Sequence, residues 1–130
     1  MNKKMDKKIS VDSVITFIEP EYNISDDRGY LKQLVSSGWN QTNLVFSKKN
    51  TFRGGHFHKN NDEVFFIING TFELSLEKNE KKYSFDITPN DMFIIHKNAS
   101  HSFDFKEDCL LISFYDKGVL ADKEIDIHTD

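Results

Sequence analysis

The sequence predicts an all-β fold, a sandwich or barrel of short strands in one domain, and three observations carry that expectation. Short apolar or alternating runs recur along the chain about every ten residues, with turn residues between them. Phe is abundant, 12 residues of 130 against 6 Gly and 2 Pro, which leans a globular composition toward strands. No stretch of comparable length holds a 3.6-residue apolar pattern, so helix content should be low.

In chain order the expected strands are Ser13 to Ile18, Gly29 to Val35, Thr42 to Ser47 and Gly54 to His58. After Asn60-Asn61-Asp62 comes Glu63 to Ile68. Asn69-Gly70 then reads as a tight turn, because both residues tolerate positive φ, and it predicts a hairpin into Thr71 to Leu76. That next run alternates polar and apolar residues, the pattern of a strand with one wet face. Lys78 to Lys82 forms a charged tip, followed by Tyr83 to Ile87, a Pro89-Asn90-Asp91 turn, Met92 to Ile95, His101 to Phe105 and Cys109 to Tyr115. Val119 to Ile127 is compatible with a turn of helix or an edge strand. The domain is expected over residues 13–122, between a flexible N-terminal tail at 1–12 and a C-terminal tail at 123–130.

A net charge of −4 lacks the basic footprint that nucleic acid requires. Lys3, Lys4, Lys7 and Lys8 sit beside Asp6 without aromatic neighbours and read as a solvated tail. Cys109 is the one cysteine, which excludes an intrachain disulfide or a multi-cysteine zinc framework; flanked by apolar residues, it reads as a small buried hydrophobe. The apolar runs are far shorter than the ~20 residues that span a bilayer, and no apolar signal segment precedes them. A cytoplasmic protein without membrane or nucleic-acid partners is expected.

The chemistry concentrates between Arg53 and Phe103. His56 and His58 alternate along one strand and so share a face, about 7 Å apart along the backbone. Four residues separate His58 from Glu63, six separate Glu63 from Gly70, and His101 comes ten positions after Asp91. These segments resemble the two signature motifs of the cupin superfamily, a histidine pair with glutamate and glycine, then a proline turn with a later histidine. The resemblance implies a jelly-roll barrel, a double-stranded β-helix, with His56, His58, Glu63 and His101 at its site. Asn90 and His96 stand where the second motif carries glycine and proline. Asn can take the turn geometry of glycine, and His96 is expected to point away from the site.

Over roughly residues 15–122 the chain further resembles the dTDP-sugar 3,4-ketoisomerases. Asp27-Arg28-Gly29, Arg53-Gly54-Gly55-His56-Phe57-His58-Lys59, and the stretch from Ser100-His101 through Asp104-Phe105 to Asp108-Cys109 carry that likeness. It implies an isomerase that moves a proton between neighbouring carbons of a nucleotide-linked 4-keto-6-deoxy sugar through an enediol, in polysaccharide or glycan biosynthesis. His56 and His58 would be acid and base, and Arg28, Arg53, Tyr30 and Tyr115 would contact substrate. A homodimer is implied as well.

Glu63 departs from that family, which carries glutamine there, and resembles instead the cupin domains of capsular-polysaccharide enzymes, which keep the glutamate with a bound metal. Three imidazoles and a carboxylate suit Zn²⁺, Fe²⁺, Mn²⁺, Co²⁺ or Ni²⁺ with positions left open. Under that alternative His56, His58, Glu63 and His101 are metal ligands of an epimerase, a Lewis-acid enzyme or a dioxygenase, and the base is sought at Tyr30, Tyr115 or Asp104. A non-catalytic sugar-binding cupin is a further reading. No organic cofactor is expected.

Overall fold

The computed structural model describes residues 2–4, 8–120 and 125–129. The C-terminal boundary expected near residue 122 and Lys7 of the lysine cluster lie outside them. Twelve strands are present among the described residues: β1 (Asn2–Lys4), β2 (Ile15–Phe17), β3 (Tyr22–Asp26), β4 (Gly29–Gln33), β5 (Gln41–Ser47), β6 (Phe52–His56), β7 (Glu63–Asn69), β8 (Phe72–Lys78), β9 (Lys81–Ile87), β10 (Met92–Ile95), β11 (Ser100–Phe105) and β12 (Cys109–Tyr115).

Two five-stranded sheets form a jelly roll, ordered β1-β9-β8-β11-β6 and β2-β10-β7-β12-β5, and β3-β4 makes a separate two-stranded sheet. Alternation along the strands fills the space between the sheets. Phe72, Leu74 and Leu76 of β8, Phe103 and Phe105 of β11, and Cys109 and Leu111 of β12 point inward and are buried. Phe65 stacks on Phe93 at 5.3 Å and meets Phe103 edge-on at 5.2 Å, so phenylalanines bridge the sheets. Five successive residues of β7, Glu63 to Ile67, are buried because its outer face is covered too: Val64, Phe66 and Met92 pack under Leu34, Val35 and Trp39. Burial pushes the Cys109 thiol up to about 11, in keeping with a core residue.

Ten expected strands are present, with ends shifted by a few residues, but the hairpin at Asn69-Gly70 is not. β7 pairs with β10 and β12, and β8 with β9 and β11, so this turn carries the chain from one sheet to the other. Gly70 is needed there for two reasons: its φ is +87°, and a Cβ would stand 2.2 Å from the Asp108 carbonyl oxygen. The tight hairpin turn of this region lies instead in the charged tip, where Asn79 and Glu80 both take positive φ between β8 and β9. Asn90 takes φ +73°, as the Pro89-Asn90-Asp91 reading requires.

β1 pairs in parallel with β9, and Lys8 meets Thr88 and Asp91 at 2.8 and 2.5 Å. At the other end Asp126 is buried and His128 pairs with Phe57, so the stretch through residue 127 is neither helix nor edge strand where it is described.

Candidate functional site

Strand register brings the motif residues together at one end of the jelly roll. His101 of β11 stands opposite His56 of β6, and Tyr115 of β12 opposite Glu63 of β7. A bulge between His101 and Ser102 permits this pairing, and Gly54 permits the bulge: its φ is +104°, and a Cβ would lie 2.5 Å from the His101 carbonyl oxygen. The rings of His56, His58 and His101 lie 4.6 to 5.3 Å apart, centre to centre. His56 and His101 line a cavity of about 170 Å³ with the apolar Val45, Phe65, Phe103 and Leu111 and the polar Asn43, Arg53, Glu63, Ser113 and Tyr115, and His58 stands behind Glu63.

Two imidazoles are fixed in the same way. His58 donates its Nδ1 proton to the Asp126 carbonyl (2.6 Å), and His101 donates its own to the Ala99 carbonyl (3.2 Å). A carbonyl only accepts, so both rings turn Nε2 inward, 3.2 and 3.9 Å from Glu63 Oε1. His58 Nε2 and Glu63 Oε1 are buried, and their contact is too poorly aligned to count as a hydrogen bond. The Ser113 and Tyr115 hydroxyls donate to the Glu63 carboxyl.

Environment then drives the proton affinities apart. Burial and the neighbouring His58 charge lower His56. Burial, with His56 and His58 adding to it, pushes His101 down to about 3. For His58 burial acts against the charged form, but Glu63 and Asp126 outweigh it and the ring is raised. Burial raises Glu63, and burial with the Glu63 charge raises Tyr115 far above the usual phenol range. The site therefore sets two imidazoles of lowered proton affinity beside a His58–Glu63 pair of raised affinity, a division suited to acid–base work.

Three of these donors fit a divalent cation. One nitrogen each from His56, His58 and His101 falls within 4.8 Å of the others, and Glu63 Oε1 stands beside that group, 3.2 and 3.9 Å from His58 and His101 Nε2.

Not every expected contact joins the cavity. Arg53 does, at the rim, where Nε and Nη2 donate to Ser47 Oγ (2.7 Å) and the Phe46 carbonyl (3.1 Å). Arg28 and Tyr30 do not: they lie on the exposed β3-β4 hairpin, with Arg28 forked onto Asp26 and Lys32 over the Tyr30 ring. Asp104 alternates outward from Phe103 and pairs with Lys106, which removes it as a base at this cavity. His96 points away, toward Thr16 and Asp62. Sequence reasoning missed Asp126, since a lone Asp in a charged terminal stretch carries no local signal of burial.

The family model described as polysaccharide biosynthesis C-terminal domain matches residues 24–127. No curated protein matches the chain. Among solved structures, the sugar 3,4-ketoisomerase QdtA from Thermoanaerobacterium thermosaccharolyticum, in complex with TDP, is similar at TM-score 0.76 and 19% identity, over 92% of this chain and 90% of that one. The TDP-quinovose 3,4-ketoisomerase WlaRB from Campylobacter jejuni gives 0.74 and 19%, over 86% and 92%. The capsular polysaccharide assembling protein CapF from Staphylococcus aureus gives 0.63 and 16%, over 83% of this chain and 32% of that one.

Proposed function

Because the chain belongs to the polysaccharide biosynthesis C-terminal domain family, we propose that it isomerises a nucleotide-linked 4-keto-6-deoxy sugar by 3,4-ketoisomerisation. The observation that carries this reading is His56, of lowered proton affinity, on the same cavity wall as Glu63, which His58 backs at 3.2 Å and whose proton affinity is raised. Proton transfer between adjacent carbons needs a base and an acid within reach of the same bond. His56 takes the proton from C3 while the C4 oxygen gains one, forming the enediol. Protonation at C4 and loss of the C3 hydroxyl proton then leave the carbonyl at C3. The fold shared with the ketoisomerases QdtA and WlaRB supports the substrate class.

A cavity of about 170 Å³ is smaller than the ~300–1,000 Å³ of sites that enclose drug-sized ligands. It suits the sugar ring, with the nucleotide across the mouth, where Arg53 offers the guanidinium for a diphosphate. The test is incubation with a panel of dTDP-, UDP- and GDP-linked 4-keto sugars in D₂O. One carbon-bound deuterium per turnover is expected from at least one of them, and no uptake from any defeats the proposal.

The orphaned His58 Nε2 and Glu63 Oε1 favour a second reading, a divalent cation held by His56, His58, Glu63 and His101. A bound cation would supply Lewis-acid polarisation of the sugar carbonyl, and the imidazoles that hold it could not serve as bases. Tyr115 is then a hydroxyl on the cavity wall, a proton donor rather than a base given how firmly it holds its proton. Metal content near one equivalent per chain is expected under this reading in protein purified without chelator. Less than about a tenth of an equivalent returns the site to metal-free proton transfer.

A homodimer is supported by the apolar side chains left exposed on the β5 edge strand, Leu44 and Phe46, and on the β3-β4 hairpin, Tyr30 and Leu31. Among the described residues no helix is long and apolar enough to cross a membrane.

A further inference from the structure

We propose that the C-terminal segment around Asp126 is a positioning clasp for His58, and that the site is complete only when this segment is docked. Asp126 is 3% exposed although it sits in a charged terminal stretch. Its carboxylate accepts from the Lys59 and Asn60 main-chain N–H groups (2.8 and 2.9 Å), from Asn61 Nδ2 (2.8 Å) and from His128 Nε2 (3.0 Å). Its main-chain carbonyl takes the Nδ1 proton of His58. One residue therefore anchors the turn that follows His58 and the ring of His58 itself.

The anchoring is two-sided. On the N-terminal side of His58, the main chains of Phe57 and His128 exchange both hydrogen bonds, at 2.9 and 3.0 Å. On the C-terminal side, buried Asn61 ties the turn to the strand-end loop, accepting from Lys117 and Gly118 N–H and donating to the Gly118 carbonyl. His58 is thus gripped through its neighbours and through its ring by a segment about 65 residues away in sequence.

The consequence is chemical. With Nδ1–H committed to a carbonyl, Nε2 is the nitrogen that faces Glu63 and the other two imidazoles, whether it moves a proton or holds a cation. Without the carboxylate, buried Asn61 Nδ2 and the part-buried Lys59, Asn60 and His128 donors lose an acceptor, and the segment loses its seat. The Asp126 carbonyl then leaves Nδ1, and the imidazole is free to exchange tautomers. Asp126 touches neither the cavity nor a reacting atom, so it acts through His58.

The test uses the full chain with ¹⁵N-labelled histidine. NMR of the native protein should show His58 as the Nδ1–H tautomer or the doubly protonated ring; a native Nε2–H tautomer overturns the clasp before any variant is made. In Asp126→Ala, His58 should populate a second tautomer, with proton exchange into substrate falling about 10- to 100-fold and KM changing little. Asp126→Asn, which keeps the size, provides the same reading if the alanine variant does not fold. A lower urea midpoint with the His58 resonances unchanged would reduce Asp126 to a structural residue and sink the proposal. The tautomer measurement needs no turnover, so it stands apart from success or failure of the isomerase reading.

Discussion

Replacing His56 by Asn is expected to lower deuterium incorporation into a 4-keto sugar by about 10²- to 10⁴-fold while leaving the fold intact. Of the three clustered imidazoles it is the one to test first. His58 and His101 are each 3% exposed and hydrogen-bonded to main-chain carbonyls, so removing either strands a buried acceptor as well as changing the site. His56 is half-buried at the cavity wall, and a shorter amide there leaves the neighbouring pair in place. Its lowered proton affinity gives the experiment a second signature. The rate should hold as pH falls through 6.5, the ordinary imidazole value, and drop only below it. Undiminished exchange in the variant, or an acid limb above pH 6.5, would remove His56 as the base.

What the sequence disclosed of this site was whatever is written locally. His56 and His58 share a face by strand alternation, and Glu63 follows one short turn later, so their meeting needs only a strand and a turn. Asn69-Gly70 shows where local reading stops. The dipeptide specifies positive φ but not the sheet that the next strand enters, and that was settled by the partners of β8, which lie at residues 81–87 and 100–105. β3 escaped notice because all five of its residues are exposed and no buried face imposes alternation. Arg28 and Tyr30 were placed by resemblance rather than by physics, and the chain puts them on that exposed hairpin. Asp126 is buried by contacts some 65 residues away, which no window along the sequence could contain.

Stability of the metal-free chain is expected to fall as pH drops from about 6.5 toward 3, by about 1.4 kcal/mol per pH unit for each proton the unfolded chain holds in excess. His101 supplies the main part: unfolded it titrates near 6.5, folded near 3, so acid favours the unfolded chain throughout that window. His56, also lowered, acts in the same direction. His58 and Glu63 oppose it, because both are raised and keep their protons to higher pH when folded. Near pH 5.5 His101 carries its proton in the unfolded chain and not in the folded one, an excess of about one proton to which His56 adds. Asp126, held down at about 2 chiefly against its burial by Asn61 and the Lys59 and Asn60 amides, adds its own loss only below about pH 4. The imidazole contribution is therefore isolated between pH 4.5 and 6.5. Urea midpoints there should climb with pH, and His101→Gln should flatten the climb by about one proton. Equal pH slopes for the native chain and His101→Gln across this range would mean that His101 is not held neutral in the folded chain.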